Sequence, residues 1–475
     1  MWWIAGAFAV VLGASADRYG YHRDEMYFLA AGRHPSWGYP DQPPLTPMLA
    51  RGMAAIDPHS LVLLRVPAIV AATVVVVCAG LMVREMGGGR GARALASGAV
   101  GSAALLMGAG HTLNTEVFDL ACWSLVTLVM LRIVRETADL RWWLVVGVLV
   151  GIGLQNKALL IFPVLTLVVG LLLAGPRKVF ATWYFAAAIG IAVVIWLPNL
   201  WWQAQNGWPQ VQMGRAIAGG SSGTSNTTPQ FIVLQLGLMG PLSAPLWGFG
   251  VWRLWREPRY RGFAVSYVLL FVVYLVTVAK AYYLGSMYPI LVAAGAIPVA
   301  RWLSEHRRWW AAVGSALVVN AVISALLFLP VLPVAAQRGR VLRAINPDAV
   351  ETIAWPTYIR QIADARARFA PRAQLFTDNY GEAAAIERFG GPYRLPTPYS
   401  GHNSYWWWGQ PPGSVPVLTV GVQTSQLRRM CTTVTPAGRL DNGSGLRNGE
   451  QHAPLFVCVP RYSWSTLWPH LEHLA

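Results

Sequence analysis

Charged residues are scarce in this chain of 475 residues. They make up 12% of the sequence, whereas 55% of the residues are hydrophobic and the mean hydropathy is +0.42. An ordinary soluble domain carries about twice that share of charge, so we expect a bilayer to be the solvent. The apolar residues fall in runs of roughly 17 to 25, enough to cross a bilayer as helix, and Trp is frequent at the ends of the runs. The sequence therefore predicts a polytopic α-helical membrane protein.

Signals of several other protein classes are missing. No Gly-rich phosphate loop follows a predicted strand, so nucleotide binding has no support. No repeat with a period of about 20 to 50 residues is visible. His22, His34 and His111 do not fall at a metal-ligand spacing, so we predict no metal ion and no other cofactor. The net charge is +16, but the basic residues lie in short loops and not in one stripe, which disfavours nucleic acid as a partner.

Eleven apolar runs are predicted to span the membrane. They cover residues 2–16, 61–83, 92–110, 117–134, 142–156, 158–175, 179–198, 231–252, 262–279, 283–300 and 309–334. With a cytoplasmic N-terminus, every cytoplasmic loop holds Arg or Lys, as the positive-inside rule requires. The odd number of spans then places the C-terminal residues outside the cytoplasm. We predict that the first run remains as an uncleaved anchor, with a signal peptide cleaved after Ala14-Ser15-Ala16 as the alternative.

Residues 338–475 differ in composition from residues 1–337. Pro, Gly and polar residues become more frequent, and no run is long enough to span a bilayer. Apolar spacing predicts an amphipathic helix over 359–369. Short strands are predicted at 373–377, 415–421 and 454–459, followed by a final helix near 463–474. We therefore expect a transmembrane unit over 1–337 and a small soluble α/β domain over 338–475 on the extracytoplasmic side.

The chain has only four cysteines. Cys78 and Cys122 lie within apolar runs, whereas Cys431 and Cys458 lie 27 positions apart in the predicted soluble domain. In an oxidising compartment two such thiols are expected to form a disulfide. The alternative is a pair of buried, reduced thiols.

Two adjacent carboxylates, Asp24 and Glu25, lie in the first predicted external segment. In a partly desolvated site one carboxylate can have its pKa raised enough to take a proton from a hydroxyl, while its neighbour binds substrate or metal. The alternative is an ordinary acidic pair in a solvated loop.

A second acidic pair, Glu116 and Asp119, lies at the external start of the fourth predicted span. Residues three apart share one helix face, and ionisable groups at membrane depth usually face a cavity. The alternative is helix capping, with Asn114 or Thr115 as the N-cap and the acids interacting with the positive end of the helix dipole.

Two lysines mark the external ends of other predicted spans. Lys157 interrupts an apolar stretch, and Lys280 precedes Tyr282 and Tyr283. Lysines that extend to the membrane interface are common, which is the structural alternative for both. The predicted topology nevertheless brings both lysines to the same membrane face as Asp24. Carboxylates beside cations suit a reaction that deprotonates an alcohol and releases a phosphate.

The segments that carry these residues resemble a known family. The segments are YGYHRDEMYFLAAGRHPSWGYPDQPPLTP, LRVPA, LNTEVFDL, GLQNK, LPNLWWQAQNGWP, KAYYLGSMYPIL, TDNYGEAAAIERFG and SGHNSYWWWG. In order and spacing they resemble the glycosyltransferases of the GT-C fold that use lipid-phosphate sugars. The resemblance covers nearly the whole chain and is strongest to the bacterial protein mannosyltransferase and aminoarabinose transferase group.

This resemblance implies roles for the polar residues. Asp24 would be the base that accepts the acceptor proton, with Glu25 as its partner. Gln42, in Gln42-Pro43-Pro44, stands where many relatives have the Lys of Lys-Pro-Pro, so Gln42 is included in the predicted substrate-binding set but the first loop lacks that lysine as a phosphate contact. Lys157, Lys280 or Arg65 would then contact the phosphate instead. Glu116, Asp119, Tyr282 and Tyr283 complete the predicted substrate-binding set.

The expected activity is transfer of a hexose or pentose from a polyprenyl phosphate to an acceptor hydroxyl. The acceptor would be a protein, lipid or glycan at the extracytoplasmic face of a bacterial inner membrane. The first alternative is a transporter or flippase of lipid-linked sugars, which would also use intramembrane charges. A non-catalytic envelope scaffold is a further alternative, but it leaves the acidic residues unexplained.

Overall fold

The computed structural model describes residues 1–135, 139–219 and 227–474. Within these ranges the first 328 residues are mainly helical. The helices are α1 (Trp2–Ser15), α2 (Arg23–Arg33), α3 (Leu45–Ile56), α4 (Leu61–Glu85), α5 (Arg90–Gly101), α6 (Ala104–His111), α7 (Thr115–Val134), α8 (Trp142–Leu154), α9 (Ile161–Ala174), α10 (Trp183–Gln205), α11 (Pro209–Ala218), α12 (Thr228–Met239), α13 (Ala244–Arg256), α14 (Arg261–Val276), α15 (Tyr288–Glu305) and α16 (Trp309–Phe328).

Each of the eleven predicted spans coincides with apolar helix, but not all of these helices have the length of a span. Among the described residues five are long and apolar enough, namely α4, α7, α10, α16 and the continuous segment Ala281–Glu305. Two bent helix pairs raise the number to seven if each pair crosses once. Four others, Trp2–Ser15, Trp142–Leu154, Ala158–Ala174 and Arg261–Val276, are apolar but shorter. The protein is a multi-pass membrane protein, and the number eleven stays a prediction.

The two bent pairs replace what the sequence predicted as continuous spans over 92–110 and 231–252. Helices α5 and α6 meet at 60°, and α12 meets the segment Pro241–Arg256 at 81°. The second break follows from Gly240, whose φ of +78° favours glycine, and from the proline after it.

One side chain of α16 stabilises both breaks. The Asn320 amide nitrogen donates to the carbonyl of Ser102 at 2.9 Å, between α5 and α6, and contacts the carbonyl of Met239 at 3.2 Å, at the end of α12. Backbone carbonyls that lose their helical partners are costly in a membrane unless another donor meets them. Asn320, which is 3% exposed, supplies that donor.

The C-terminal part carries a five-stranded sheet. Its strands are β1 (Gln374–Thr377), β2 (Pro398–Ser400), β3 (Val417–Val420), β4 (Cys431–Arg439) and β5 (Pro454–Pro460), in the order β2-β1-β3-β5-β4. Strand β1 pairs in parallel with β2 and β3, and β5 pairs antiparallel with β3 and β4. The accompanying helices are α17 (Arg340–Ile345), α18 (Trp355–Phe369), α19 (Tyr380–Phe389), α20 (Ser404–Trp407), α21 (Thr424–Met430) and α22 (Trp464–Leu467).

Several sequence predictions for this part can be compared with these elements. The three predicted strands lie at β1, β3 and β5, and the amphipathic helix lies within α18. The disulfide between Cys431 and Cys458 is confirmed, and it joins β4 to β5. Strands β2 and β4 were not predicted. The predicted final helix near 463–474 is wrong in length, because α22 ends at Leu467 and only a short 3-10 turn follows.

Helix α19 packs on α2 and so joins the C-terminal part to the segment between α1 and α4. Arg33 forms an ion pair with Glu387 at 2.8 Å, and the Arg388 guanidinium donates to the Tyr21 hydroxyl at 2.7 Å. At the N-terminal end of α19, the Tyr380 hydroxyl donates to Asp24 Oδ1 at 2.7 Å.

Candidate active site

Helix α2 carries Asp24 and Glu25 in its first turn. His22 is the N-cap: its Nδ1 accepts from the Asp24 amide at 3.3 Å, and its own amide donates to Glu25 Oε2 at 2.9 Å. Such reciprocal capping satisfies amide groups that a helix start leaves unpaired. Because consecutive side chains leave a helix in different directions, Asp24 and Glu25 have different surroundings.

Glu25 is enclosed together with Arg65 of α4, and both side chains are 0% exposed. The Arg65 guanidinium donates to both Glu25 oxygens, at 2.9 and 2.8 Å, and to the carbonyls of Ala16 and Gly20. Glu25 also accepts from the Leu113 amide at 2.9 Å.

These contacts correct two sequence-based assignments. Arg65 is not available to a donor phosphate, because it is buried and its donors already have partners. Glu25 is enclosed in the same way, so its contacts hold the first turn of α2 in place and leave neither oxygen open to a ligand.

Asp24 is the accessible acid, with 37% of its side chain exposed. Its Oδ1 accepts from the Tyr380 hydroxyl at 2.7 Å, and the Arg23 Nε lies 3.9 Å away. The ring of Tyr380 lies between Tyr27, at 4.8 Å, and His402, at 4.9 Å between ring centroids. A carboxylate held in this way can take a proton from a hydroxyl while one of its oxygens stays hydrogen-bonded.

Glu116 and Lys157 form the second acidic arrangement. Lys157 Nζ lies 2.8 Å from Glu116 Oε1, and the two side chains are 14% and 28% exposed. The Tyr282 hydroxyl lies 3.4 Å from the same Glu116 oxygen. The Lys157 ammonium lies 4.7 Å from the Tyr283 ring centre. Four predicted binding residues, contributed by α7, the α8–α9 connection and the segment before α15, therefore lie together.

Two further predicted residues border this cluster. Asp119 lies one helical turn below Glu116, and its buried Oδ1 has no hydrogen-bond partner within the part of the chain that is described. Lys280 lies 6.0 Å from the Tyr282 ring centre, and among the described residues it has no carboxylate partner. Burial lowers the pKa of the Lys280 ammonium, and the charges of Glu116 and Asp24 oppose that change. Lys280 thus interacts electrostatically with one acid of each acidic region.

Gln42 lies in the loop between α2 and α3 and is 5% exposed. Its carbonyl accepts from the Tyr39 amide, and its side-chain nitrogen has no partner in the described residues. The start of α3, directly after this loop, is tied to the Lys157 region by the Thr46 hydroxyl, which donates to Asn156 Oδ1 at 2.8 Å. An unpaired buried amide suits a polar ligand better than a closed core.

Three residues near Asp24 were not predicted: Tyr27, Asp41 and Tyr380. The Tyr27 hydroxyl lies 2.9 Å from Asp41 Oδ1. Burial raises the pKa of Asp41 to about 7, partly opposed by the hydrogen bond from Tyr27. Asp41 was visible in the motif PDQPP, but Tyr380 lies 356 positions from Asp24, and only the packing of α19 on α2 brings them together.

No group of three His, Cys, Asp or Glu side chains that could hold a metal ion occurs among the described residues.

Comparison with solved structures adds to this geometry. The chain aligns over 96% of its length with 97% of ArnT from Cupriavidus metallidurans, at a TM-score of 0.60 for the form bound to undecaprenyl phosphate and 0.62 for the apo form, with 15% identity. The oligosaccharyltransferase of Archaeoglobus fulgidus aligns at a TM-score of 0.50 with 10% identity, over 83% of this chain and 63% of that one. The chain has the GT-C fold. The fold expected from the motifs is thereby confirmed.

Sequence comparisons agree with the GT-C fold. The sequence model of the family described as dolichyl-phosphate-mannose-protein mannosyltransferase matches residues 41–202. Among curated proteins, the lipid A galacturonosyltransferase RgtD of Rhizobium johnstonii is 28% identical over 193 residues, which are 38% of this chain and 39% of that protein. The match thus spans about two fifths of the curated relative.

Proposed function

We propose that this GT-C protein is a glycosyltransferase that moves a sugar from a polyprenyl phosphate to an acceptor hydroxyl. One observation carries the proposal: the exposed carboxylate of Asp24 occurs in the same site as a half-buried cation, Lys280, which lies beside Tyr282 and has no carboxylate partner among the described residues. A base beside a cation fits a reaction with an alcohol nucleophile and a phosphate leaving group. The names of the protein's relatives support the same reaction class.

In the proposed reaction Asp24 accepts the proton of the acceptor hydroxyl. The acceptor oxygen then forms a bond to the anomeric carbon of the donor as the bond from that carbon to the phosphate oxygen breaks. The electron pair leaves with the polyprenyl phosphate, whose negative charge is stabilised by Lys280 and, after it separates from Glu116, by Lys157. Attack opposite to the leaving phosphate inverts the anomeric centre.

The topology predicted from the sequence is part of the proposal. Eleven spans and a cytoplasmic N-terminus would place Asp24, Glu116, Lys157 and Lys280 at the extracytoplasmic face of a bacterial inner membrane. The region 338–475 would be a soluble domain at that same face. The contact between Tyr380 and Asp24 supports this arrangement, because it requires both residues to lie on one side of the membrane.

The transporter alternative is less well supported. The polar residues of the site lie where helices begin or end: Glu116 in the first turn of α7, Lys157 between α8 and α9, and Lys280 after α14. Transporters instead hold their substrate near the middle of the bilayer.

Transfer by purified protein in lipid nanodiscs tests the proposal. Synthetic polyprenyl-phosphate hexoses and pentoses would serve as donors, and envelope lipids, glycans and proteins as acceptors, with products read by mass spectrometry. We expect Asp24→Asn to lower the rate by about 10² to 10⁴ because it removes a general base. Asp57→Asn is the matched control, since Asp57 is an exposed acid of the same external region.

Full activity of correctly inserted Asp24→Asn protein would refute the assignment of the base. Movement of the labelled donor across the bilayer without any glycosylated product would instead favour a transporter.

A further inference from the structure

A pocket of about 450 Å³ opens beside the candidate active site. It lies where the end of α2 and the loop after it meet the end of α10 and the helix α20. The lining residues that matter most are Arg33, His34, Trp202, Ser404, Trp407 and Trp408. Neither Asp24 nor the Lys157 cluster lines it, so the pocket is separate from the reacting groups.

Aromatic rings from three segments form the walls of this pocket. Trp202 of α10 and Trp407 of α20 have ring centroids 5.6 Å apart. Trp408 stacks on His34 at 4.5 Å with an interplanar angle of 14°. The faces of such rings carry partial negative charge and attract positively polarised hydrogen atoms. The C–H groups on one face of a sugar ring have that polarity and a flat shape that suits an indole.

The charge of the pocket argues against an anionic ligand. Its cation, Arg33, is already paired with Glu387 at 2.8 Å. Its polar groups also argue against a lipid chain, since His34, Ser404 and the Arg33 side chain interrupt the apolar surface. Apolar faces with polar groups at their edges fit a neutral, amphipathic ligand such as a saccharide.

Contacts lead from this pocket to Asp24. The Ser404 hydroxyl lies 2.6 Å from that of Tyr27, and the Trp408 ring lies 6.2 Å from the Tyr27 ring. Tyr27 packs on Tyr380, which donates to Asp24. Two aromatic side chains therefore separate the pocket from the proposed base. The pocket shares no lining residue with the lysine cluster that we assign to the donor phosphate.

We propose that this pocket binds a saccharide unit of the acceptor, so that the acceptor is a glycan or a glycolipid. The assignment of this saccharide to an acceptor rests on the proposed function, whereas saccharide binding by the pocket does not.

Binding is tested by saturation-transfer difference NMR on the full-length protein in nanodiscs. The probes are neutral di- and trisaccharides of glucose, galactose and mannose, and a Ser/Thr-rich peptide. We expect saturation of at least one saccharide, its loss in Trp407→Leu and Trp202→Leu, and its retention in Trp407→Phe. Trp37→Leu is the matched control. Trp37 belongs to the loop after α2 that forms one wall of the pocket, but its side chain is 62% exposed and does not line the pocket.

Three results would overturn the proposal. The first is that no saccharide receives saturation from the protein. The second is that the saccharide NMR signals persist in both Leu variants. The third is that the peptide gives NMR signals that depend on Trp407 and Trp202. The last result would assign the pocket to a protein acceptor.

A kinetic test separates this proposal from the proposed function. We expect Trp407→Leu to raise the acceptor KM about tenfold with little change in kcat, whereas Asp24→Asn lowers kcat. If Asp24→Asn abolishes transfer but Trp407→Leu leaves the acceptor KM unchanged, the saccharide assignment is wrong and the transferase stands. If no sugar transfer to any acceptor occurs but the saccharide NMR signals depend on Trp407, the pocket binds a saccharide and the proposed reaction is wrong.

Discussion

The two acidic regions, at residues 24–25 and 116–119, have the same arrangement but different exposure. In each region one acid is paired with a cation at 2.8 Å, Glu25 with Arg65 and Glu116 with Lys157. Among the described residues, Asp24 has a cation no closer than Arg23, at 3.9 Å, and Asp119 forms no ion pair. The side chains of Glu25 and Arg65 are each 0% exposed, whereas those of Glu116 and Lys157 are 28% and 14% exposed.

This difference separates a structural ion pair from one that can take part in binding. A fully enclosed pair cannot exchange its partner for a ligand, because exchange would leave an uncompensated charge in the interior. A pair at a partly exposed helix end can do so, since water and ligand can reach it. The following predictions test this distinction.

The largest effect is expected for Arg65→Met. Removing one partner of a buried pair typically costs about 3 to 5 kcal/mol, so we expect loss of folded protein and not only of activity. The yield of monodisperse protein and its unfolding temperature would measure this. Arg18→Met, at an exposed position, is the control.

The double variant Glu25→Gln with Arg65→Met should recover part of the stability, because it leaves no unpaired charge. Equal stability of Arg65→Met and the wild type would show that the enclosed pair is not structural.

Lys157→Met is expected to act on donor binding. A hydrogen bond to a charged group contributes about 1.5 to 3 kcal/mol, so the donor KM should rise about tenfold to a hundredfold. Glu116→Gln should have the opposite effect or none, because it frees the lysine for the phosphate. An equal increase of the donor KM in both variants would mean that this pair, too, is structural.

Tyr380→Phe is expected to lower kcat about tenfold. The variant keeps the ring between Tyr27 and His402 but removes the hydroxyl that orients Asp24. Measurement of kcat and both KM values checks this, because a purely structural role would not lower kcat while the donor KM stays constant. Tyr399→Phe, in β2, serves as the control.

The smallest effect concerns Asp41, an acid that forms no ion pair within the described part of the chain. Its pKa is raised to about 7, so between about pH 4 and pH 7 the folded protein binds more protons than the unfolded chain. Stability should therefore fall as the pH rises through that range. Asp41→Asn should reduce this dependence of Tm on pH, by an amount on the order of 2 °C. An unchanged slope would show that Asp41 titrates normally.

Much of the helical part was predictable because membrane helices have a strong local signal. Apolar runs indicated the apolar helices but not α2, α3 or α11, which carry more polar residues. The predicted helix ends placed Glu116, Lys157 and Lys280 correctly relative to the helices. The two helix breaks could not be predicted from hydropathy, because hydropathy is a local property. The breaks depend on Asn320, whose amide contacts the carbonyls of Met239 and Ser102, 81 and 218 positions away.

The site was predictable only where its residues act locally. Asp24 was recognisable from its motif, but nothing in the local sequence distinguishes it from Glu25. The difference arises from Arg65, 40 positions later, and from the Leu113 amide. Likewise, Tyr380 reaches Asp24 through the docking of α19, and the short strand β2 lacks a pattern long enough to detect.

The capping contacts of α2 have a further consequence, which concerns entropy. Because Glu25 is tied to Arg65 and to the His22 amide, the turn that bears Asp24 loses its conformational freedom when the chain folds. Substrate binding then need not order that turn, a cost of about 0.5 to 1.5 kcal/mol for each side chain immobilised on binding. In the proposed mechanism, the enclosed Glu25 thus lowers the entropic part of the barrier for the reaction at Asp24.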